Sequence, residues 1–191
     1  MWSHLIGRRD VLILDTETTG LHKNSEIVDL AIVDTTGRTV MDVPVMPQGY
    51  IPAGAAKVHG LTKPRLKALG ARPWPDHHKA FLSAIRSAAV VCVYNLAFDM
   101  RMLEQTMGRY GLDDEGVLDQ VSELCIMLDY ARWRRIPHPW RRGDYKWHTL
   151  DQAYRHECGR AAQTHRALGD CGMVLDLMRT VSAKDASGQT G

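Results

Sequence analysis

The chain has 191 residues, which is enough for one domain with a full hydrophobic core and short for two. Apolar residues make up 45% and charged residues 24%, as in soluble globular proteins, and no apolar run approaches the roughly 18 residues of a membrane span. A net charge of +2 is too small to indicate nucleic-acid binding by itself. We therefore expect a single domain over residues 1–181 with no membrane association, followed by a small polar tail at 182–191 that is disordered.

The N-terminal segment and the cysteines indicate a cytoplasmic protein. MWSHLIGRRDVLILD carries a charge pair and an aspartate where a secretory signal needs an unbroken apolar core. The four cysteines form no C-x-x-C pair and fit no zinc spacing. Buried free thiols in a reducing compartment are the simplest interpretation.

Three strands are predicted first. VLILDT, residues 11–16, is a short apolar run that ends at a Thr-Thr-Gly turn, which is typical of a buried strand. EIVDLAIVD, residues 26–34, partly alternates and stops at the turn TTGR, and RTVMDVPVMP, residues 38–47, is the returning strand. The order predicts a three-stranded antiparallel start.

Helices and further strands alternate after this start. PDHHKAFLSAIRSA, residues 75–88, has apolar residues at helical spacing, and we interpret its DHH as a solvated face. AVVCVYN, residues 89–95, is a second buried strand, and residues 96–111 form a helix that stops at a glycine.

The last third of the chain predicts mainly helices. Residues 121–133 read as a short strand or turn that runs into a helix, and residues 148–159 as a short helix ended by a glycine. HRALGDCGMVLDLMRTV, residues 165–181, is a long amphipathic helix. Strands followed by mixed strands and helices predict an α/β domain with a mixed central sheet flanked by helices.

Two carboxylates end the first predicted strand. Because strand side chains alternate, Asp15 and Glu17 point to the same side. Adjacent like charges are unfavourable unless a cation lies between them, and hard oxygen ligands suit Mg²⁺ or Mn²⁺. An isolated D-x-E is more often an exposed strand end whose acids bind turn amides.

The second polar cluster follows the buried strand that ends at residue 95. Asn95 is a candidate N-cap, and Asp99 lies about one turn into the helix, where negative charge is favoured. Taken alone, capping and dipole stabilisation explain both residues.

A third cluster, HRALGD, begins the last helix. Five residues along a helix correspond to about 500°, so His165 and Asp170 cannot serve one site from the middle of a regular helix. They can if His165 lies in the approach to the helix, with Thr164 as a candidate cap, and Asp170 points inward. A single histidine is more often a surface or core residue.

The three clusters occur in an order that resembles a known family. D-x-E, then Asn-x-x-x-Asp, then His-x-x-x-x-Asp is similar to the DEDD superfamily of 3′–5′ exonucleases, in its histidine-containing branch. That branch includes ribonuclease T, exonuclease X and the epsilon proofreading subunit of the bacterial replicative polymerase. KVHGLT at residues 57–62 and LCIMLDYAR at 124–132 match intervening segments, and the resemblance covers residues 10–178.

The resemblance implies a ribonuclease H-like fold and a hydrolase that works with two divalent ions, Mg²⁺ or Mn²⁺. The ligands it implies are the four acids of the motifs: Asp15, Glu17, Asp99 and Asp170. It implies His165 as the general base, a role that histidine fills more often than any other side chain. The product would be a nucleoside 5′-monophosphate released from a 3′ end.

The resemblance also places residues around the terminal nucleotide. Thr18 and Leu21 match positions that line its pocket, and His59 and Phe98 match residues near its base or sugar. Asn95 is expected to hydrogen-bond a terminal oxygen. The chain departs from the family's usual second motif at residues 94–96, which leaves the ligand positions unchanged.

A basic, aromatic segment spans residues 132–148. It holds five arginines and one lysine against one acid, with three interleaved tryptophans. Arginines on phosphates and tryptophans stacked on bases would bind single-stranded nucleic acid. An exposed loop whose tryptophans pack on the domain is an equally good interpretation.

The expected partner is single-stranded DNA or RNA with a free 3′ end, and the catalytic residues do not separate the two. One alternative is a proofreading or repair subunit that acts mainly in complex with a polymerase or helicase. Another is a catalytically silent module that binds nucleic-acid ends, which is disfavoured because all five catalytic positions are filled.

Overall fold

The computed structural model describes residues 1–160 and 165–188. Within them, five strands form one mixed sheet in the order β3-β2-β1-β4-β5, with β1 antiparallel to β2 and parallel to β4. The strands are β1 (Val11–Thr18), β2 (Ile27–Asp34), β3 (Thr39–Pro44), β4 (Val90–Val93) and β5 (Ser122–Cys125).

Helices cover both faces of this sheet. The α-helices of the described residues are α1 (Ala53–His59), α2 (Lys63–Ala68), α3 (Trp74–Arg86), α4 (Leu96–Gly108), α5 (Ile126–Arg134), α6 (Leu150–Cys158) and α7 (Ala167–Ala186). Among these helices, none is both long and apolar enough to cross a membrane.

Strand β1 separates two hydrophobic cores. Val11 and Ile13 belong to the core formed with α5, α6 and α7, whereas Leu12 and Leu14 belong to the core formed with α3 and α4. Because successive side chains point to opposite faces, a strand covered on both sides is apolar throughout. The predicted α/β architecture with a mixed sheet is confirmed, including the antiparallel start.

Two short helices were not predicted, because they lack a long apolar repeat. Helix α1 follows Pro52, and α2 is capped by the Thr62 hydroxyl, which accepts a hydrogen bond from the Arg65 amide. Helix α1 ends at His59 and thereby brings this histidine beside the end of β1.

Two sequence-based expectations are wrong in part. Residues 182–186, which were expected to be disordered, continue α7, because Ser182 is buried and accepts a hydrogen bond from the Trp2 amide. The N-terminal ammonium of Met1 also pairs with Asp185. Residues 189–191 of the predicted tail lie outside the described residues.

The solvated face predicted for DHH is corrected as well. His78 is buried, and its Nδ1 accepts a hydrogen bond of 3.2 Å from the indole N–H of Trp74. One turn of helix separates the two side chains, so they meet on the face that packs on the core.

Candidate metal and nucleic-acid site

Three acidic side chains meet where β1 faces α7, and a fourth, from α4, lies near enough to act on them through its charge. Asp15 and Glu17 lie on the α7 side of β1, and one carboxylate oxygen from each, with one from Asp170, lies within 4.8 Å of the others. The register of β1 against β2 shifts between Glu17 and Thr18, so the strand is irregular at the point where it presents the acids.

Asp99 approaches the same strand from α4. It lies in the first turn of α4, is buried, and its Oδ1 accepts a hydrogen bond of 2.6 Å from the Thr16 hydroxyl. Thr16 stands between Asp15 and Glu17 and points to the opposite face, which is the α4 face. Because side chains alternate along β1, Asp15 and Glu17 face α7. The Thr16 hydroxyl faces α4 instead and orients Asp99.

Burial disfavours the ionised form of all four acids, and repulsion from neighbouring carboxylates adds to this effect at Asp15 and Glu17. Burial, followed by the charges of Asp99 and Asp170, raises the pKa of Asp15 well above its usual range. Burial and the charge of Asp170 raise the pKa of Glu17 to about 8. Burial raises the pKa of Asp99 to about 7 against the hydrogen bond from Thr16.

The last acid, Asp170, has its pKa raised to about 6 by burial, while the charge of His165 acts in the opposite direction.

The residues fit a bound cation. Asp15 Oδ2 and Asp170 Oδ1 are buried without a hydrogen-bond partner among the described residues. Clustered carboxylate oxygens are what Mg²⁺ and Mn²⁺ prefer, and a cation would remove the repulsion between the acids.

His165 lies in the approach to α7, which meets the condition under which it and Asp170 can serve one site. It is exposed, Arg166 occupies the N-cap position, and the helix begins at Ala167. This arrangement lets a side chain before the helix and one in its first turn serve a single site. The predicted cap Thr164 lies outside the described residues.

An ion pair that the sequence does not predict anchors the start of α7. Asp29 of β2 is fully buried and accepts hydrogen bonds from the Arg166 side chain and from the Ala167 amide. The available signal was an acid within an otherwise apolar strand, because a buried charge needs a partner.

Two residues predicted to contact substrate touch one another. His59 is buried, with its Nε2 3.2 Å from the Thr18 carbonyl oxygen, and its Nδ1 accepts from the Leu61 amide. Both ring nitrogens are therefore used within the protein, and burial lowers the pKa of His59. The Thr18 hydroxyl donates to the Gly20 carbonyl. A nucleotide would meet the ring of His59 by packing rather than through its nitrogens.

The other three candidates surround the start of α4. Leu21 is 71% exposed, and its carbonyl oxygen accepts a hydrogen bond from Arg101, whose guanidinium lies over the half-buried Phe98 ring. Asn95 occupies the N-cap position of α4, but its side chain makes no capping hydrogen bond. Its exposed carboxamide is thus available to a ligand.

The basic segment at residues 132–148 divides into a packed and an exposed part. Trp133 is buried, and Arg134 lies 3.7 Å from the buried carboxylate of Glu157, so both stabilise the domain. Beyond α5 the chain turns back on itself, with Pro137 bridged to Tyr145. We call residues 136–147 the basic loop.

The basic loop exposes the remaining charged and aromatic groups. Trp140 is 88% exposed, and the guanidinium of Arg141 lies 5.3 Å from the ring centroid of Trp147. The packing interpretation is therefore confirmed for Trp133 and Arg134, whereas nucleic-acid binding by the exposed part stays a prediction.

A family profile matches this chain over most of its length. The profile of the RNase T exonuclease family covers residues 12–178, which includes every acid of the cluster and His165.

Individual relatives agree with that match. The uncharacterized exonuclease CP81 of Escherichia phage 186 is 35% identical over 181 residues, which cover 93% of this chain and 91% of that protein. The epsilon subunit of DNA polymerase III from Buchnera aphidicola is 32% identical over 145 residues, 70% of this chain and 57% of that subunit. Escherichia coli exonuclease I, solved in its zinc-bound complex with single-stranded DNA, superposes with a TM-score of 0.72 at 14% identity, covering 92% of this chain and 41% of that one.

Proposed function

Because this chain belongs to the RNase T exonuclease family, we propose that it removes nucleotides from the 3′ end of single-stranded DNA or RNA and releases nucleoside 5′-monophosphates. The observation that carries the proposal is the carboxylate cluster beside His165, with two buried oxygens that have no hydrogen-bond partner among the described residues. The 3′ direction and the single-stranded substrate are supported by the order of the three motifs and by the exonuclease I fold likeness.

In the proposed mechanism, Asp15, Glu17, Asp99 and Asp170 hold two divalent ions, Mg²⁺ or Mn²⁺. Such ions, when bound, supply positive charge that stabilises the charge developing on the phosphate and the leaving oxygen. The protein contributes the fixed positions of the acids on three different elements. Thr16 fixes the Asp99 carboxylate against the end of β1 through its hydrogen bond.

His165 is the proposed general base. It takes a proton from the attacking water, the water oxygen bonds to phosphorus, the bond to the 3′ oxygen of the preceding nucleotide breaks, and that oxygen takes a proton from solvent water. The products are a 5′-monophosphate and a chain one nucleotide shorter with a 3′ hydroxyl. The exposure of His165 suits this role, since the ring can return its proton to solvent after each cycle.

The remaining residues form the proposed terminal-nucleotide pocket. Thr18, Leu21 and His59 line one side, and Asn95 with Phe98 the other. The link from Arg101 to both Leu21 and Phe98 supports one continuous pocket. Leu21 would pack on the terminal base through its exposed side chain.

A degradation assay on end-labelled strands tests the direction of hydrolysis. We expect Mg²⁺- or Mn²⁺-dependent release of 5′-monophosphates from single-stranded DNA or RNA, inhibition by EDTA, and protection by an inverted 3′-terminal nucleotide but not by a 5′ block. The same assay with duplex DNA, DNA strands and RNA strands ranks the substrates. Cutting of circular single strands, or equal loss from both ends, would overturn the exonuclease proposal.

A second candidate is a proofreading or repair subunit that acts in complex with a polymerase or helicase. The 32% identity to a polymerase III epsilon subunit favours it. A stable complex with a replicative polymerase, recovered from the native host at physiological salt, is the expected result. Degradation activity that is unchanged by any such partner would argue for an independent nuclease.

A further inference from the structure

A separate crevice opens at the same sheet edge as the acidic cluster. It has a volume of about 540 Å³, is lined mainly by apolar groups, and includes Asn95, Met100, Met127, Leu128 and Trp147. Its volume is within the range of about 300–1,000 Å³ that is usual for ligand sites.

The position of the crevice follows from the chain path. Strands β4 and β5 are parallel neighbours. After β4 the chain enters α4 on one face of the sheet, and after β5 it enters α5 on the other face. In open α/β sheets, ligands bind where connections leave neighbouring strands toward opposite faces, outside the carboxyl ends.

The crevice lies next to the candidate active site. Asn95 and Leu96 line it, and Asp99 of the acidic cluster lies in the same first turn of α4. Strands β1, β4 and β5 end at one edge, and neighbouring strands are about 4.8 Å apart. A nucleic-acid strand whose 3′ end reaches the acids can therefore place an upstream nucleotide in this crevice.

Charge on the two sides of the crevice sets the orientation of a ligand. On one side, Glu123 also lines a neighbouring cleft that contains Asp113, Asp114 and Asp119, which repel phosphate. On the other side lies Trp147, with the Arg141 guanidinium over its ring. Phosphates are attracted to the Arg141 side, which leaves the apolar interior for a flat, uncharged group.

We propose that this crevice binds an unpaired nucleobase of the substrate strand, upstream of the scissile phosphate, with Trp147 as its stacking wall. The inference rests on the proposed function and adds a substrate subsite to it. A nucleobase fits because every base presents a π-face to an indole, so the subsite holds the strand without reading its sequence. Glu123, which lines the crevice, offers a hydrogen-bonding group to a base edge.

The basic loop positions Trp147 for this role. The indole lies 6.4 Å from the His138 ring, edge to face, and Trp147 also lines the cleft on its other side with Leu128 and Tyr145. Trp147 is nonetheless 46% exposed, so it presents a surface to a ligand. Trp140 lies in the same loop, is more exposed, and is not part of the crevice, which makes it a matched control.

The test compares Trp147→Ala, Trp147→Phe and Trp140→Ala on two substrates. One is a short single-stranded DNA, bound with Ca²⁺ in place of Mg²⁺. The other is the p-nitrophenyl ester of thymidine 5′-monophosphate, which has no upstream nucleotide. Loss of one base–aromatic stack raises the Kd by about 5- to 100-fold, so we expect that change for Trp147→Ala on the strand. We expect no change on the ester, recovery by Trp147→Phe and a smaller effect of Trp140→Ala.

A scan with one abasic nucleotide at successive positions from the 3′ end locates the subsite. In the wild type, one upstream position should weaken binding most, and this penalty should disappear in Trp147→Ala. The subsite is overturned if Trp147→Ala binds the DNA strand as tightly as the wild type does. It is also overturned if the abasic nucleotide weakens binding equally in both proteins. Either result favours a protein partner for the crevice. If the wild type hydrolyses neither the DNA strand nor the ester when Mg²⁺ is present, the proposed function is overturned instead.

Discussion

Arg166, which directly follows His165 in the chain, donates two hydrogen bonds to the buried carboxylate of Asp29, at 2.7 and 3.0 Å. These bonds hold the backbone next to His165 in place. Asp29 also accepts from the Ala167 amide and thereby satisfies one free N–H at the start of α7. Strand β2 thus controls where α7 begins, and α7 carries Asp170 one turn later. The Asp29–Arg166 pair is not proposed to bind substrate. It fixes the start of α7, next to which lie the proposed base His165 and the proposed ligand Asp170.

Replacing Arg166 with lysine tests this positioning. Lysine keeps the charge but loses the planar fork that binds both carboxylate oxygens. Since misplacement of a catalytic group by about 1 Å can cost 10²-fold, we expect kcat to fall on the order of 10- to 100-fold with a smaller change in KM. The measurements are steady-state kinetics and a melting curve.

Arg179→Lys is the matched control, because Arg179 ties α7 to the Thr35 and Thr36 carbonyls, far along the helix from the site. It should lower the melting temperature without changing kcat. An Arg166→Lys variant that loses stability but keeps wild-type kcat would restrict the pair to a structural role.

The sequence predicts those parts of the site that depend on local periodicity. Strand alternation predicts that Asp15 and Glu17 share one side, and the 100° helical repeat shows that His165 and Asp170 can serve one site only if His165 precedes the helix. The Asp29–Arg166 pair joins residues 137 apart, and the hydrogen bond from Thr16 to Asp99 joins residues 83 apart. No periodicity specifies such contacts, since they exist only once the sheet and both helix layers have assembled.

Replacing His165 with alanine tests the proposed base. A positioned general base contributes about 10²–10⁴-fold, so we expect kcat to fall by that amount. Affinity for Mn²⁺ measured by calorimetry should be retained, because His165 is not a proposed ligand. His22→Ala, at another exposed histidine, should keep full activity. Loss of Mn²⁺ binding in His165→Ala would show that the histidine has been assigned the wrong role.

Replacing Arg141 and Arg142 with alanine tests phosphate contact by the exposed half of the basic segment. Each phosphate contact to a single strand contributes about 0.7 to the slope of log K against log salt, so the slope should fall by about 1.4. The rate at saturating substrate should change little. Arg134→Ala is the contrasting variant: it removes one of the two cations, Arg134 and Lys184, that pair with buried Glu157, so it should lower the melting temperature while the salt slope stays unchanged. Identical slopes for the double variant and wild type would place both arginines away from the nucleic acid.

The raised pKa values of the acidic cluster make the metal-free protein sensitive to pH. Asp and Glu in an unfolded chain have pKa values of about 4, whereas Glu17 and Asp99 in the folded protein have values of about 8 and 7. The folded state therefore binds more protons than the unfolded state above pH 4, and stability falls as the pH rises through the folded pKa values.

The window from pH 7 to 8.5 isolates this effect. Burial lowers the pKa values of His59 and His148, so these two residues make stability rise with pH. That rise is complete above about pH 6.5. In EDTA, we expect the free energy of unfolding, measured with urea, to be lower at pH 8.5 than at pH 7. Saturating Mg²⁺ should abolish the decrease. A rise in stability over the same range in EDTA would contradict the repulsion between the acids.

Replacing Asp15 with asparagine separates a metal ligand from a structural acid. The change removes one charge from a buried cluster and keeps the side-chain shape, so we expect activity to be abolished while the melting temperature in EDTA equals or exceeds that of the wild type. Divalent ions that bind the folded site raise the melting temperature with the logarithm of their concentration, and this Mn²⁺ shift should shrink or vanish in Asp15→Asn. Asp119→Asn, at an exposed acid outside the cluster, should retain both activity and shift. Strong destabilisation of Asp15→Asn in EDTA together with a full Mn²⁺ shift would make Asp15 a structural residue and exclude it from the metal site.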